Sequence, residues 1–327
     1  MCNSCLAHQG FDYFRQLDGL RIQDHRPLLS GATFQERRPL LIHLTVTGRC
    51  YARCQGCVNA AVTLGVDHPR NTVISAPETD PDRDARAVIN LAALSPERDV
   101  VLCFYGGEPL LAVPKIARLM DLIEASPVRS RCRYMLITNG ELLTQALNRH
   151  PQVIERLWLL AVSIDGRRSQ HNRVRRGTDL ARIHQNLRVI TPRRRGPAMM
   201  WSTLREGQSL LDCFLEFMEL CGQGWVEHFF WHWAEGHDPI LDLPGYMRLY
   251  ESDLNYVLEA YLQALSRREI LSLVHINELI LYLLTGKSRG ASACGVELAT
   301  NYDLSGGKIY PCADLPQIGR ASCRERV

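Results

Sequence analysis

Cys50-Tyr-Ala-Arg-Cys54-Gln-Gly-Cys57 holds three thiols at C-x3-C-x2-C spacing. It directly follows Leu41-Ile-His-Leu-Thr-Val-Thr47, an apolar and β-branched run that reads as a buried strand. The thiols therefore sit on the loop that leaves the C-terminal end of that strand. Three close thiolates hold three irons of a [4Fe–4S] cube and leave the fourth without a protein ligand. Iron–sulfur clusters are usually fully ligated by cysteine, so an open iron points to a small molecule bound there. A zinc site needs a fourth ligand, and the next cysteine, Cys103, lies inside an apolar strand.

Working outward, segments of strand and helix character alternate. Strands are expected over 41–47, 100–105, 133–138, 157–164, 198–204 and 225–233. Helices are expected over 81–94, 113–124, 141–150, 178–190 and 208–221, the first capped by Thr79 or Asp80. Such alternation means a parallel sheet with right-handed crossovers. The fold class is α/β, a partial (β/α)6 TIM-like barrel with a small, truncated, Cys-containing C-terminal extension. In such barrels chemistry sits on the loops at the C-terminal strand ends. The expected division is a lead-in segment over 1–40, the barrel over 41–235, a helical linker of two helices over 236–289, and the start of a Cys-containing extension over 290–317. Residues 318–327 read as adapter-derived sequence and are set aside.

The composition fits an enzyme-sized α/β domain. The chain has 327 residues, 46% of them hydrophobic, enough for a sizeable core. A net charge of +3 gives no case for nucleic acid, and no apolar run is long enough for a membrane span. Twelve cysteines without a signal-peptide pattern favour reduced thiols and metal ligation in the cytoplasm. Cys103, Cys132, Cys213 and Cys221 fall on expected strands or helices and read as small core residues. Cys2 and Cys5 form a lone C-x2-C, a weak metal signal.

Three strand ends carry further motifs. The second strand ends in Phe104-Tyr-Gly-Gly-Glu-Pro109, where two glycines let backbone approach a ligand closely. A carbonyl or carboxylate there accepts hydrogen bonds from an ammonium group. The third ends in Thr138-Asn-Gly140, also a turn signal. The fourth ends in Val162-Ser-Ile-Asp-Gly166, followed by His171-Asn-Arg-Val-Arg175.

Together these motifs resemble the radical SAM superfamily, and within it the anaerobic sulfatase-maturating enzymes and peptide maturases. The resemblance covers residues 41–233. It implies a [4Fe–4S] cluster on Cys50, Cys54 and Cys57, with S-adenosylmethionine chelating the open iron. Gly106, Gly107 and Glu108 would line the cofactor's amine, and Ser163 would stand near its carboxylate or ribose. Thr138–Gly140 would border the cofactor. Asp165 has a turn reading beside a substrate reading. An arginine following His171-Asn172 would pair with the cofactor carboxylate, and the spacing leaves Arg173, Arg175 and Arg176 open. The residue before the last cluster cysteine, usually aromatic in the family, is Gly56 here, so packing on the adenine side must differ.

Cys294 and Gly307-Lys-Ile-Tyr-Pro-Cys312 resemble the opening of a SPASM extension, with a hairpin turning at Gly306-Gly307. That implies an auxiliary [4Fe–4S] cluster with Cys294 and Cys312 among its ligands. Phe229-Phe-Trp-His-Trp233 reads as core and barrel closure, or as an aromatic wall near adenosine or substrate. The expected activity is modification of a peptide or protein side chain through a 5′-deoxyadenosyl radical. Formylglycine formation and peptide crosslinking are examples, with epimerisation and small-molecule chemistry as alternatives. The expected partners are that peptide or protein and a one-electron donor such as flavodoxin or ferredoxin. The rival reading is a non-catalytic iron–sulfur or zinc scaffold.

Overall fold

The computed structural model describes residues 39–57, 78–234, 240–285 and 300–310. Cys2, Cys5, Cys294, Cys312 and nearly all of the lead-in segment lie outside them.

The chain enters at β1 (Leu40–Thr47), wholly buried as its apolar run demands, and passes through the short β2 (Arg53–Cys54). α1 (Pro81–Ala93) starts where Asp80 accepts a hydrogen bond from the Arg83 amide at 3.0 Å and Pro81 fills the first turn. β3 (Val100–Gly106), α2 (Val113–Glu124) and β4 (Cys132–Thr138) follow. The helix expected to end at His150 does so: α3 (Leu143–Arg149) stops there, and Pro151 opens a further short helix, α4 (Pro151–Glu155). A proline suits a helix start and breaks a helix interior.

β5 (Leu157–Ser163), α5 (Arg168–Val174), β6 (Arg175–Arg176) and α6 (Leu180–Ile190) come next. β7 (Ala198–Leu204), α7 (Leu210–Gly222) and β8 (His228–Trp233) complete the expected series. β8 starts later than Trp225 because the chain first turns out of α7: Gly224 takes φ +69° and the Trp225 amide returns to the Leu220 carbonyl. The two helices expected before residue 285 are α8 (Leu243–Ser266) and α9 (Val274–Thr285). β9 (Asn301–Ser305) and β10 (Lys308–Tyr310) form the hairpin over Gly306 and Gly307.

The main sheet runs in the order β10-β9-β1-β3-β4-β5-β7-β8, and all its neighbours except β10·β9 are parallel. Among the described residues it is an open sheet of eight strands, two more than the expected six. The added pair comes from the hairpin: β9 lies parallel to β1, with Leu41 opposite Asn301 and His43 opposite Asp303. Side chains alternate across the sheet. Ile42, Leu44, Phe104, Leu136, Val162 and Met200 face the helices. Leu41, Val101, Cys103, Met135, Ala161, Trp201 and Phe230 fill the opposite side. No described helix is long and apolar enough to cross a membrane.

Candidate active site

The Cys loop is held at the C-terminal edge of the sheet by four ties, each from a different strand end. At the first, β3 closes on the loop backbone. The Gly107 amide donates to the Thr47 carbonyl and the Glu108 amide to the Arg49 carbonyl, both at 2.8 Å. A Cβ on Gly107 would lie 2.2 Å from the Arg49 carbonyl oxygen, and one on Gly106 2.5 Å from that of Thr47. Gly106 also takes φ +131°, which side chains disfavour. The glycine pair is thus required by a close approach of backbone to backbone.

Glu108 does not project into open space. Its buried carboxylate accepts hydrogen bonds from the Leu110 amide at 3.0 Å, Thr138 Oγ1 at 2.7 Å and the Asn139 amide at 2.9 Å. Burial raises its pKa, and those three donors partly offset the rise. It fastens the end of β3 to the end of β4.

The second tie comes from β4. Asn139 Oδ1 accepts from the Tyr51 hydroxyl at 2.8 Å, so the loop residue beside Cys50 is fixed by the Thr138-Asn139-Gly140 turn. Asn139 is buried, and its Nδ2 has no hydrogen-bond partner among the described residues. A buried donor left bare costs roughly 1–3 kcal/mol, so this amide is poised to donate to a bound group.

The third and fourth ties meet at Asp165. Its fully buried carboxylate takes a two-point contact from Arg175, Nε to Oδ2 at 2.8 Å and Nη2 to Oδ1 at 3.1 Å. Arg205 Nη1 adds a contact at 2.7 Å and the Thr203 amide another at 2.8 Å. Burial works against the charge, but the two guanidiniums prevail and hold this carboxyl well below the usual range. Of the three arginines left open by the sequence, Arg175 is therefore the buried one, engaged with Asp165; Arg173 and Arg176 are exposed. Arg175 lies opposite Cys54 in the antiparallel pairing of β2 and β6, and the Gln55 amide donates to the Val174 carbonyl at 2.8 Å. Arg205 spends its Nε on the Gln55 carbonyl. One carboxylate thus anchors both arginines that pin the Cys54–Cys57 half of the loop.

Below this knot, His171 Nδ1 accepts from the Asp165 amide at 3.2 Å, and burial lowers its pKa to about 3. His232 lies 3.0 Å from Thr203 Oγ1 and is lowered to about 3 for the same reason. Ser163 ends β5 nearly buried, and its hydroxyl makes no hydrogen bond to a described residue. The aromatic run of β8 divides as alternation requires. Phe229 and Trp231 join the helix-side core, Phe230 packs on Trp201 with ring centres 4.5 Å apart, and Trp233 is partly exposed.

Cys50, Cys54 and Cys57 are half-buried thiols outside any disulfide. Burial, opposed by the Ala52 amide, pushes Cys50 up to about 12, and the other two thiols lie close enough to add to the rise. Among the described residues no three His, Cys, Asp or Glu side chains are drawn together as metal ligands. The donor set nevertheless suits an iron–sulfur cluster: three soft sulfurs on one loop. An unpartnered buried amide on Asn139 accompanies them.

Sequence reasoning missed Arg205, because nothing marks a lone arginine just past the end of a strand as a loop anchor; only the fold brings it to Gln55. It also missed Tyr51 as the partner of Asn139.

Residues 40–190 match a family described as a 4Fe-4S single cluster domain. No curated protein sequence matches the chain. Among solved structures, the chain is similar to native anSMEcpe with bound AdoMet, at 15% identity over 84% of this chain and 75% of that one, TM-score 0.64. It is similar to native anSMEcpe with bound AdoMet and Cp18Cys peptide, at 15% identity over 84% and 74%, TM-score 0.63. It is also similar to Streptococcus suis SuiB bound to S-adenosylmethionine, at 14% identity over 87% and 62%, TM-score 0.56. With an iron–sulfur family match lying across its Cys loop, the chain has the fold of the radical SAM enzymes.

Proposed function

We propose that the protein is a radical SAM enzyme that modifies a peptide or protein side chain. The observation that carries this reading is the Cys50–Cys57 loop pinned to the sheet's C-terminal edge from four strand ends. Cys50, Cys54 and Cys57 would hold the [4Fe–4S] cluster. A cluster held there would supply one-electron reduction of S-adenosylmethionine, the chemistry that generates a hydrogen-abstracting radical.

The backbone of Gly106 and Gly107 and the bare Asn139 amide lie beside the loop and bind the cofactor's polar end. Glu108 acts there by holding two strand ends together, and Ser163 supplies a free hydroxyl at the end of β5. Cys294 and Cys312 belong to an auxiliary cluster site in the extension. A peptide substrate is favoured by the likeness to anSMEcpe, which has been solved with a bound peptide.

Anaerobic reconstitution with iron and sulfide, reduction, and chromatography for 5′-deoxyadenosine test the reading. Its formation above the level given by a Cys54→Ala protein is expected. An intact cluster that releases none would overturn the reading in favour of a non-catalytic iron–sulfur protein.

A further inference from the structure

The ribbon that carries Cys54 has two unlike faces. β2 and β6 pair so that Cys54 stands opposite Arg175 and Arg53 directly opposite Arg176. Along the loop Tyr51, Arg53 and Gln55 are exposed while Ala52 is buried and Cys54 half-buried; across from them Arg175 is buried and Arg176 exposed. One face therefore holds the ligand thiol and the Asp165 knot. The other turns two guanidiniums to solvent.

Neither guanidinium makes an ion pair or hydrogen bond with a described residue. Neighbouring arginines on the same rim are engaged: Arg49 with Glu78 at 3.1 Å, Arg167 with Asp212 at 2.7 Å, and Arg173 with the Gly207 carbonyl at 2.9 Å. Like charges directly opposite one another weaken a strand pair. A ribbon of two residues per strand has little pairing to spare, so the fold offers no structural reason for this arrangement.

We propose that Arg53 and Arg176 form the docking face for an acidic one-electron donor protein. The inference rests on the reading above that Cys54 holds a cluster. Cys54 is one residue from Arg53 on the ribbon, and a reductant must approach a cluster held there from solvent, where these arginines stand. Paired guanidiniums one residue from a ligand thiol attract carboxylates and steer an acidic partner. Docking there would bring the donor's redox group to the outer side of Cys54. In the transfer itself the donor loses one electron and the oxidised cluster gains it, with no bond made and no proton moved.

The probe is a purified flavodoxin, an acidic flavoprotein. Calorimetry of the apo-protein with oxidised flavodoxin at low ionic strength should give binding that weakens at least tenfold in the Arg53→Glu/Arg176→Glu protein. The Arg53→Lys/Arg176→Lys protein should keep most of it. After reconstitution, cluster reduction by flavodoxin hydroquinone, followed by electron paramagnetic resonance, should slow by a similar factor. Reduction by dithionite should not change. Unchanged flavodoxin binding, or equal slowing with both reductants, would overturn the proposal. A protein that takes up no cluster would defeat the functional reading instead, while the apo-protein titration would still decide the docking face.

Discussion

Asp165 and Arg205, far apart in sequence, meet as a buried pair in which Nη1 lies 2.7 Å from Oδ2. The same arginine reaches the cluster loop through the Gln55 carbonyl, so the carboxylate acts on the loop through its partner. Removing one member of a buried ion pair leaves an uncompensated charge and costs about 3–5 kcal/mol. Asp165→Ala is therefore expected to lower the thermal midpoint sharply and to reduce iron uptake. Arg205→Lys, which keeps the charge, should retain more of both. A thermal scan of Asp165→Ala that overlays the parent would refute this role.

Two buried histidines and one half-buried histidine set an acid limit on stability. Burial is the leading cause for His171, His228 and His232, and each is lowered to about 3. An unfolded histidine titrates near 6.5. Because the folded values are depressed, the unfolded chain binds more protons below about pH 6.5. Stability should be fully present above that pH and decline as the pH falls toward 3. Urea midpoints measured from pH 7.5 to 4 would show the decline beginning near 6.5; a flat profile down to pH 4.5 would contradict it.

Cysteine replacements separate ligands from filler. Ala at Cys50, Cys54 or Cys57 is expected to drop cluster content to a small fraction of the parent after reconstitution. Ala at Cys103 or Cys213, both fully buried in the sheet and α7, should leave iron and sulfide content near the parent at a modest stability cost. Iron and sulfide assays on all five proteins make the comparison.

The glycine pair offers a contrast within one residue type. Gly107→Ala places a Cβ 2.2 Å from the Arg49 carbonyl, whereas Gly222→Ala meets nothing within 4 Å. The first is expected to displace the loop, with loss of both stability and iron retention. The second should be neutral or stabilising by about 0.5–1 kcal/mol, as expected for Ala over Gly in a helix. Equal thermal midpoints for the two proteins would count against the close approach.

The parallel strands and most helices were legible because their signals are local. A β-branched run such as 41–47 can only be buried on both faces, and Asp80-Pro81 announces a helix start. The place of the Cys loop, at the end of β1, was legible from the apolar run before it. What the sequence hid depends on contacts distant along the chain. Asp165 reads equally well as a turn or substrate residue until Arg175 and Arg205 are seen around it. Glu108 reads as a ligand contact until Thr138 and Asn139 occupy its oxygens. The hairpin at Gly306 was visible, but its docking on β1 was not, since strand partners are not encoded in period.

That docking bears on how the protein is made. β1 delivers the thiol loop, yet one of its two neighbours, β9, is synthesised only after nearly every other described element. Until residues 301–305 emerge from the ribosome, β1 keeps an open edge, the kind of exposed backbone that invites mispairing. Sequence-distant pairing of this sort is slow to form. The strand that delivers the thiol loop therefore gains its second neighbour only near the end of synthesis of the described elements.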